Sequence, residues 1–326
     1  MLDPKTQSLK TRVALLSVCS NSLLIALKLV VGLLIGSVSV ISEAIHSGMD
    51  LLAAALALFA VRKAHEPADV THPYGHGKVE NISGTVEALL ILVAAAWIVY
   101  EAIHKLIRPE PLGPPGWGVG VMASSALLNT FVSQMLFRVA RKTDSVALEA
   151  DAWHLRTDVW TSAGVSLSLA AIWVGRHVAP DATLHWLDPA AAILVALLIL
   201  HAAFRLTAQA ARDLLDWALP AAEEQWIRDY LAGLKPTVSG FHHLRTRKSG
   251  SARFVDMHLL VDEDMHVYKA HDIAEEVSDG ISEHLPGSSV IVHIEPCAAK
   301  CDDDCLAGCL LTDEERDAVR LRHLHD

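Results

Sequence analysis

Apolar residues fill six long stretches of the chain, roughly Val13–Ile35, Val38–Val61, Gly84–Leu106, Trp117–Val139, Leu148–Val174 and Pro189–Thr207. Each is close to the ~20 apolar residues that a helix needs to cross the hydrocarbon of a bilayer. The pattern therefore predicts six membrane-spanning helices. From about Leu215 it changes. Ala221–Leu234 reads as an amphipathic helix opened by Pro220, and Val238–Lys248 and Ala252–Val261 alternate as strands around Gly250. Val267–Leu285 has helical period and is closed by Pro286-Gly287, and Ser289–Ile294 is an apolar strand. The expected order, α-β-β-α-β, is that of a small α+β layer domain. Three regions follow: a membrane domain over 1–210, a soluble domain over 211–296 and a cysteine-containing acidic tail over 297–326.

Composition sharpens this division. The chain has 326 residues, 52% hydrophobic, with a mean hydropathy of +0.33. That is too apolar for an ordinary soluble domain. Residues 1–206 carry 15 basic and 15 acidic side chains, and residues 207–326 carry 12 and 23, so the whole net charge of −11 lies in the last third. No basic patch suits a nucleic-acid partner. A secreted disulfide scaffold is excluded too, because four of the five cysteines crowd into the tail. The polar N-terminus and the length of the first apolar run argue for a spanning helix rather than a cleaved signal.

Short-loop cations orient the spans. Lys5, Lys10, Arg12, Arg62, Lys63, Lys78, Arg138, Arg141, Lys142, Arg205 and Arg212 fall on one side, and Lys105, Arg108 and Arg176 on the other. Both termini are thus expected in the cytoplasm. Gly36 and Ser37 predict a tight first link, and Pro109, Pro111, Pro114 and Pro115 a short rigid external turn.

Polar residues inside apolar helices mark the candidate chemistry. The second span holds His46 and Asp50, and the fifth holds His154 and Asp158. An i,i+4 spacing puts each pair on one helix face. Two such faces turned together offer two imidazole nitrogens and two carboxylates, a tetrahedral set suited to Zn²⁺. Two identical pairs are harder to explain as internally satisfied polar groups than one would be. The set lacks thiolate, which suits an ion that must leave. Ligating histidine must be neutral and ligating aspartate ionised, so protons compete with metal for the site. Such a cluster can couple metal flux to opposite proton flux. No G-x-x-x-x-G-K-[ST] motif is present, which points to an ion gradient as the driving force. No H-E-x-x-H occurs either, which weighs against the alternative of an intramembrane zinc hydrolase. Fe²⁺, Cd²⁺, Mn²⁺ and Co²⁺ stay open as alternative ions.

Other candidates depend more on folding. Asp69, His72 and His76 lie at i, i+3 and i+7 in a Gly-flanked loop, able to hold a second metal or to stay a solvated loop. In the soluble domain His242 or His243, His258, His271, and His293 with Glu295 are spread one or two to an element. Spacing leaves convergence and isolated surface histidines about equally supported. Cys297, Cys301, Cys305 and Cys309, each four apart, form an atypical run for a zinc motif.

At this point the residues resemble a known family, the cation diffusion facilitators, and within it the bacterial zinc and ferrous-iron efflux type. The resemblance is carried by E-A-I-H-S-G-M-D, H-P-Y-G-H-G-K-V-E, A-D-A-W-H-L-R-T-D, G-F-H-H-L-R-T-R, M-H-L and V-H-I-E-P, in order from about residue 8 to 297. It implies six transmembrane helices, a ferredoxin-like cytoplasmic domain and a homodimer in the bacterial inner membrane. It implies proton-coupled antiport of Zn²⁺ and similar ions by alternating access, and no enzymatic activity. The transport site would be His46, Asp50, His154 and Asp158. Some relatives have Asp at the position of His46, and the two-His, two-Asp form goes with zinc preference. The loop site would be Asp69, His72 and His76. A regulatory site near the dimer interface would use His242, His258, His271, His293 and Glu295, the last often Asp in relatives. Lys78 and Asp216 match a pair implied to lock the dimer by a salt bridge. The cysteines after Pro296 have no counterpart in this resemblance.

Overall fold

The computed structural model describes residues 4–35, 38–108, 118–178, 186–299 and 301–322. The Gly36-Ser37 link, the proline-rich link around 109–115 and the side chain of His46 lie outside the described residues. Two compact units form, Asp3–Leu214 and Leu215–Asp326.

The first unit contains six long helices: α1 (Pro4–Ile35), α2 (Val38–Ala64), α3 (Lys78–Ile107), α4 (Gly118–Thr143), α5 (Val146–Val178) and α6 (Leu187–Leu214). α1 packs on α2, α3 on α6 and α4 on α5. Three of the described helical stretches, Lys5–Leu34, Lys78–His104 and Pro189–Leu214, are long and apolar enough on their own to cross a membrane.

The unit is built in the opposite sense to a water-soluble bundle. Its outer faces carry exposed Leu33, Leu34, Phe59, Trp97, Phe131 and Phe204, while Lys10, Asp50, Glu80, Glu87 and Asp151 are buried. Soluble proteins seldom expose large contiguous apolar surface, whereas lipid favours it. Small residues line the close contacts: Ala53, Ala54, Ala57 and Ala60 on α2 and Ala88, Ala95 and Ala102 on α3 are buried. Between helices in lipid, small side chains let backbones approach and maximise van der Waals contact. Lys10, counted above as a loop cation, is buried and pairs with Glu80 at 3.0 Å, and Glu80 also accepts a hydrogen bond from Ser145. Breaking a buried pair of this kind costs about 3–5 kcal/mol, because the surviving charge is left without its partner.

The second unit runs α7 (Ala221–Ala232), β1 (Gly240–Ser249), β2 (Ala252–Val261), α8 (Val267–His284) and β3 (Ser288–Pro296), then short α9 (Asp303–Ala307) and α10 (Asp313–Arg322). β2 is central, antiparallel to β1 and parallel to β3. Alternation drives the sheet: Val255, Met257 and Leu259 point into a core shared with Ile227 and Leu231 of α7 and Ile273, Val277 and Ile281 of α8. The other face carries the polar residues. The tail is part of this unit. Phe241 N–H donates to Gly308 O at 3.0 Å, Leu310 N–H donates to Ser239 O at 3.0 Å, and Gly240 bridges Cys309. Any side chain at Gly308 would collide with the Phe241 carbonyl, so this close approach requires glycine.

Candidate metal centres

Within the helical unit, Asp50 of α2 and His154 and Asp158 of α5 offer donor atoms that all lie within 4.8 Å of one another. His154 Nε2 is 3.2 Å from Asp50 Oδ1, and His154 Nδ1 is buried with no hydrogen bond. Helical period turns His154 and Asp158 the same way. The neighbouring Trp153 packs edge-on against Phe137 of α4 at 5.2 Å and Trp160 at 5.7 Å, which anchors the rotation of α5. The donors line a cavity of about 580 Å³ together with Lys28, Ser47, Asn129 and Thr157. Lys28 Nζ donates to Ser47 Oγ at 2.6 Å.

Two carboxylates in the same unit bear on this site and are invisible to a search for paired motifs. Glu87 of α3 and Asp151 of α5 are fully buried; Ser83 donates to Glu87 Oε1, while Glu87 Oε2 has no hydrogen-bond partner among the described residues. The signal available in sequence is a carboxylate outside the paired motifs inside an apolar run, Glu87 alongside Glu101 in one and Asp151 alongside Glu149 and Asp158 in the other.

The loop after α2 gathers Asp69, His72 and His76 into a second set within 4.8 Å. Asp69 Oδ1 accepts from Thr71 N–H and Thr71 Oγ1 at 2.8 Å each and from His72 N–H at 2.6 Å. The Thr71 hydroxyl and the His72 amide hold the Asp69 carboxyl well below the usual carboxylate range. Asp69 Oδ2 lies 3.4 Å from His76 Nε2, and Oδ1 lies 3.3 Å from His72 Nδ1. Gly75, at φ +82°, makes the turn that returns buried His76 to Asp69.

The sheet builds the third set by register. His242 of β1 pairs with His258 of β2, and His258 pairs with His293 of β3, so three histidines form a row across the sheet. Glu295, two residues beyond His293 and on the same face, reaches all three. Its carboxylate oxygens lie 3.0 Å from His242 Nε2, 2.9 Å from His258 Nδ1 and 3.3 Å from His293 Nε2. A bulge follows His242, with His243 in the left-handed region at φ +50°. A bulge re-aims a side chain that strict alternation would send to the other face. His243 accordingly joins His242 and His258 within 4.8 Å. Its Nδ1 lies 3.0 Å from Asp304 Oδ2, and Asp304 also accepts from its backbone N–H at 2.9 Å. Spacing offered His242 or His243; the fold uses both, and Asp304 is a donor beyond that set. His271 stands on α8 and pairs with Glu275 at 3.4 Å, both exposed.

The electrostatics of this cluster suit a cation. Burial, together with the neighbouring His293, His242 and His243, pushes His258 below its ordinary value against the pull of Glu295. Burial opposes ionisation of Glu295, but the His242 hydrogen bond and the surrounding imidazoles hold its carboxyl below the ordinary range. A neutral histidine beside an ionised carboxylate is the protonation state a metal requires. Lys78 Nζ donates to Leu214 O at 3.4 Å, and Arg247 Nη1 donates to Asp216 Oδ1 at 3.4 Å.

The chain matches the family model for the cation efflux transmembrane domain over residues 14–215 and that for the cation efflux protein cytoplasmic domain over residues 219–297. The cation-efflux pump FieF of Salmonella newport is 34% identical over 290 residues, covering 89% of this chain and 94% of the relative. This chain is a cation diffusion facilitator. FieF of Salmonella enteritidis matches to the same extent. Among solved structures, one of the transporter CzrB is 31% identical and covers 24% of this chain and 98% of its own, with a TM-score of 0.24. The facilitator is a membrane transporter of metal cations, with a helical transmembrane domain and a C-terminal α+β domain.

Proposed function

We propose that this facilitator exports Zn²⁺ from the cytosol in exchange for protons. The observation that carries the reading is the meeting of Asp50, His154 and Asp158, from two helices, beside a cavity inside the helical unit. His46, one turn before Asp50, completes a two-imidazole, two-carboxylate set. Nitrogen and oxygen donors without thiolate favour Zn²⁺ over Mn²⁺ and release it more readily than a thiolate cage would. The site works as an exchanger because one set of lone pairs serves both ions. Zn²⁺ enters as substrate when His46 and His154 are neutral and Asp50 and Asp158 ionised. Protons arriving from the opposite side occupy the same atoms and expel it. Alternation of access then moves one against the other.

The same reading takes all of α1–α6 as membrane-crossing, both termini as cytoplasmic and the bacterial inner membrane as the location. It takes the protein as a homodimer, supported by the match to the family's cytoplasmic domain, with Lys78 and Asp216 contributing an interlocking salt bridge. Asp69, His72 and His76 form an auxiliary loop site. His242, His258, His293 and Glu295 form a regulatory zinc site whose occupancy favours one arrangement of the dimer. The zinc-conserving His46 also yields a selectivity expectation: His46→Asp broadens ion choice toward Cd²⁺.

The deciding experiment is ion-resolved uptake into proteoliposomes with an imposed pH gradient. Zinc uptake should follow the gradient, stop when it is collapsed and exceed uptake of Fe²⁺, Mn²⁺ and Co²⁺. Uptake indifferent to the gradient overturns antiport, and preference for another ion overturns the zinc assignment.

A further inference from the structure

The tail from Cys297 onward has no role in the transport reading, yet it is built into the soluble unit with care. Cys297 ends β3, where its N–H donates to Val261 O at 2.9 Å. Cys301 follows in the connecting segment, Cys305 sits in α9 and Cys309 lies on the bridge to Gly240. Four thiols thus come from four successive positions of a chain that folds back on itself. They converge. Cys297 and Cys305 are buried against Leu260, with Cys301, Leu311 and Val319 packed around them. Cys301, Cys309 and Cys297 all lie within electrostatic reach of Cys305.

A purely apolar role explains this poorly. Cysteine can act as a small hydrophobe. However, the tail has almost no core to add to: α9 has five residues and α10 has no buried residue. The surroundings also carry compensating charge. Arg316, ion-paired with Asp313, and Arg322, 3.6 Å from Asp262, lie within electrostatic reach of Cys309 and Cys297 respectively. Four thiolates around a dication carry a net charge of −2, which these two guanidiniums offset only in part, each being paired with a carboxylate.

We propose that Cys297, Cys301, Cys305 and Cys309 form a four-thiolate site for one soft divalent ion of the zinc type, which pins the tail to β1. Tetrahedral four-sulfur ligation is a preferred arrangement for such an ion. The three sets whose donors already lie within 4.8 Å of one another are the imidazole and carboxylate sets. The thiols are a looser group, and capture of the ion draws Cys297 and Cys309 toward the Cys301–Cys305 pair, each thiol giving up its proton. The consequence reaches the histidine cluster. Asp304 is adjacent to Cys305, and its carboxylate holds both the ring and the backbone of His243. Ligation of Cys305 therefore fixes a carboxylate at the rim of the histidine site, so that the soft-metal site positions part of the other.

The test uses the full-length protein in detergent under a phosphine reductant, titrated with Co²⁺ alone. Thiolate ligation gives a sulfur-to-cobalt charge-transfer absorption in the near ultraviolet, which imidazole and carboxylate sites do not give. The expected result is one such centre per chain, bleached by Zn²⁺, lost in Cys301→Ser/Cys305→Ser and retained in Asp304→Asn. In parallel, Zn²⁺ should protect the four tail cysteines from iodoacetamide while labelling of Cys19, exposed on α1, is unchanged. An absent band, a band that survives the double substitution, or labelling indifferent to zinc overturns the proposal. So does recovery of a Cys301–Cys305 disulfide from reduced protein, which would assign the pair to redox chemistry. None of these readouts depends on transport.

Discussion

The helical unit and the sheet both gather histidines and carboxylates, but by different physical means. In the helical unit a single helix already aligns His154 with Asp158, and the fold has only to bring Asp50 to them, 3.2 Å from His154 Nε2. In the sheet no local segment holds the set. It arises from the pairing of His242 with His258 and of His258 with His293, plus one extra residue at His243. The environments differ as well. Asp50 is buried in a unit whose outer faces are apolar, whereas His293 is 62% exposed. A site sealed among helices can exclude water and hold an ion for passage. A site open at a sheet surface equilibrates with bulk ion and suits sensing. The difference teaches that donor type alone does not separate cargo from regulator; burial and the rigidity of the supporting element do.

The comparison breaks first at Asp50. Asp50→Ala removes a direct donor, so zinc flux in proteoliposomes should fall by more than the ~10–100-fold typical of outer-shell changes. Size-exclusion behaviour should be unchanged. Retained flux would show that the helix-borne set is not the passage site. Next is Glu295, which contacts three histidines. Glu295→Ala, made in the Asp50→Ala background so that the helical site is silent, likewise removes a direct donor and should weaken zinc binding at the sheet by at least the ~10–100-fold of an outer-shell change in calorimetry. An unchanged isotherm would mean that the row across the sheet is not a metal site. Third, Gly308→Ala forces a methyl group against the Phe241 carbonyl. The expected loss is about 1–3 kcal/mol, read as faster hydrogen exchange at Phe241 and Leu310 with the helical unit unaffected.

The smallest effect is a pH dependence confined to the sheet. His258 has a folded pKa below its unfolded value, so below about pH 6.5 the unfolded chain binds more protons and stability falls with falling pH. Glu295, also lowered, acts in the same direction further into acid: its contribution is present above about pH 4.3 and is lost as pH falls through the folded value. Metal-free protein should therefore show amide exchange in β1–β3 that quickens on acidification, and His258→Gln should flatten the upper part of that profile. A profile unchanged by the substitution would remove His258 as the titrating group.

Much of the architecture was legible because its signals are local. Period-two alternation marked Ala252–Val261, the span that β2 occupies, and the order of the soluble elements reads the same in chain and fold. Apolar length alone was a weaker guide to spans. Among the described residues, only α1, α3 and α6 hold stretches that qualify by length and apolarity, although buried Lys10, Glu80 and Glu87 lie on α1 and α3. The tail read as a separate region because its cysteines and acidic residues have no counterpart in the family resemblance. Its attachment runs through backbone hydrogen bonds at Gly308 and Leu310, which leave no compositional trace.

The sequence by itself determined the six apolar stretches, the αββαβ order and the faces on which His154 and Asp158 share a helix, because each follows from a repeat of a few residues. Only the tertiary structure decided that Asp50 meets that face, that His243 turns toward His258 while His271 stands apart with Glu275, and that Asp304 and four cysteines fold back beside the histidine row. Those facts depend on helix packing, strand register and a bulge, each set by contacts between residues far apart in the chain. No local pattern encodes them.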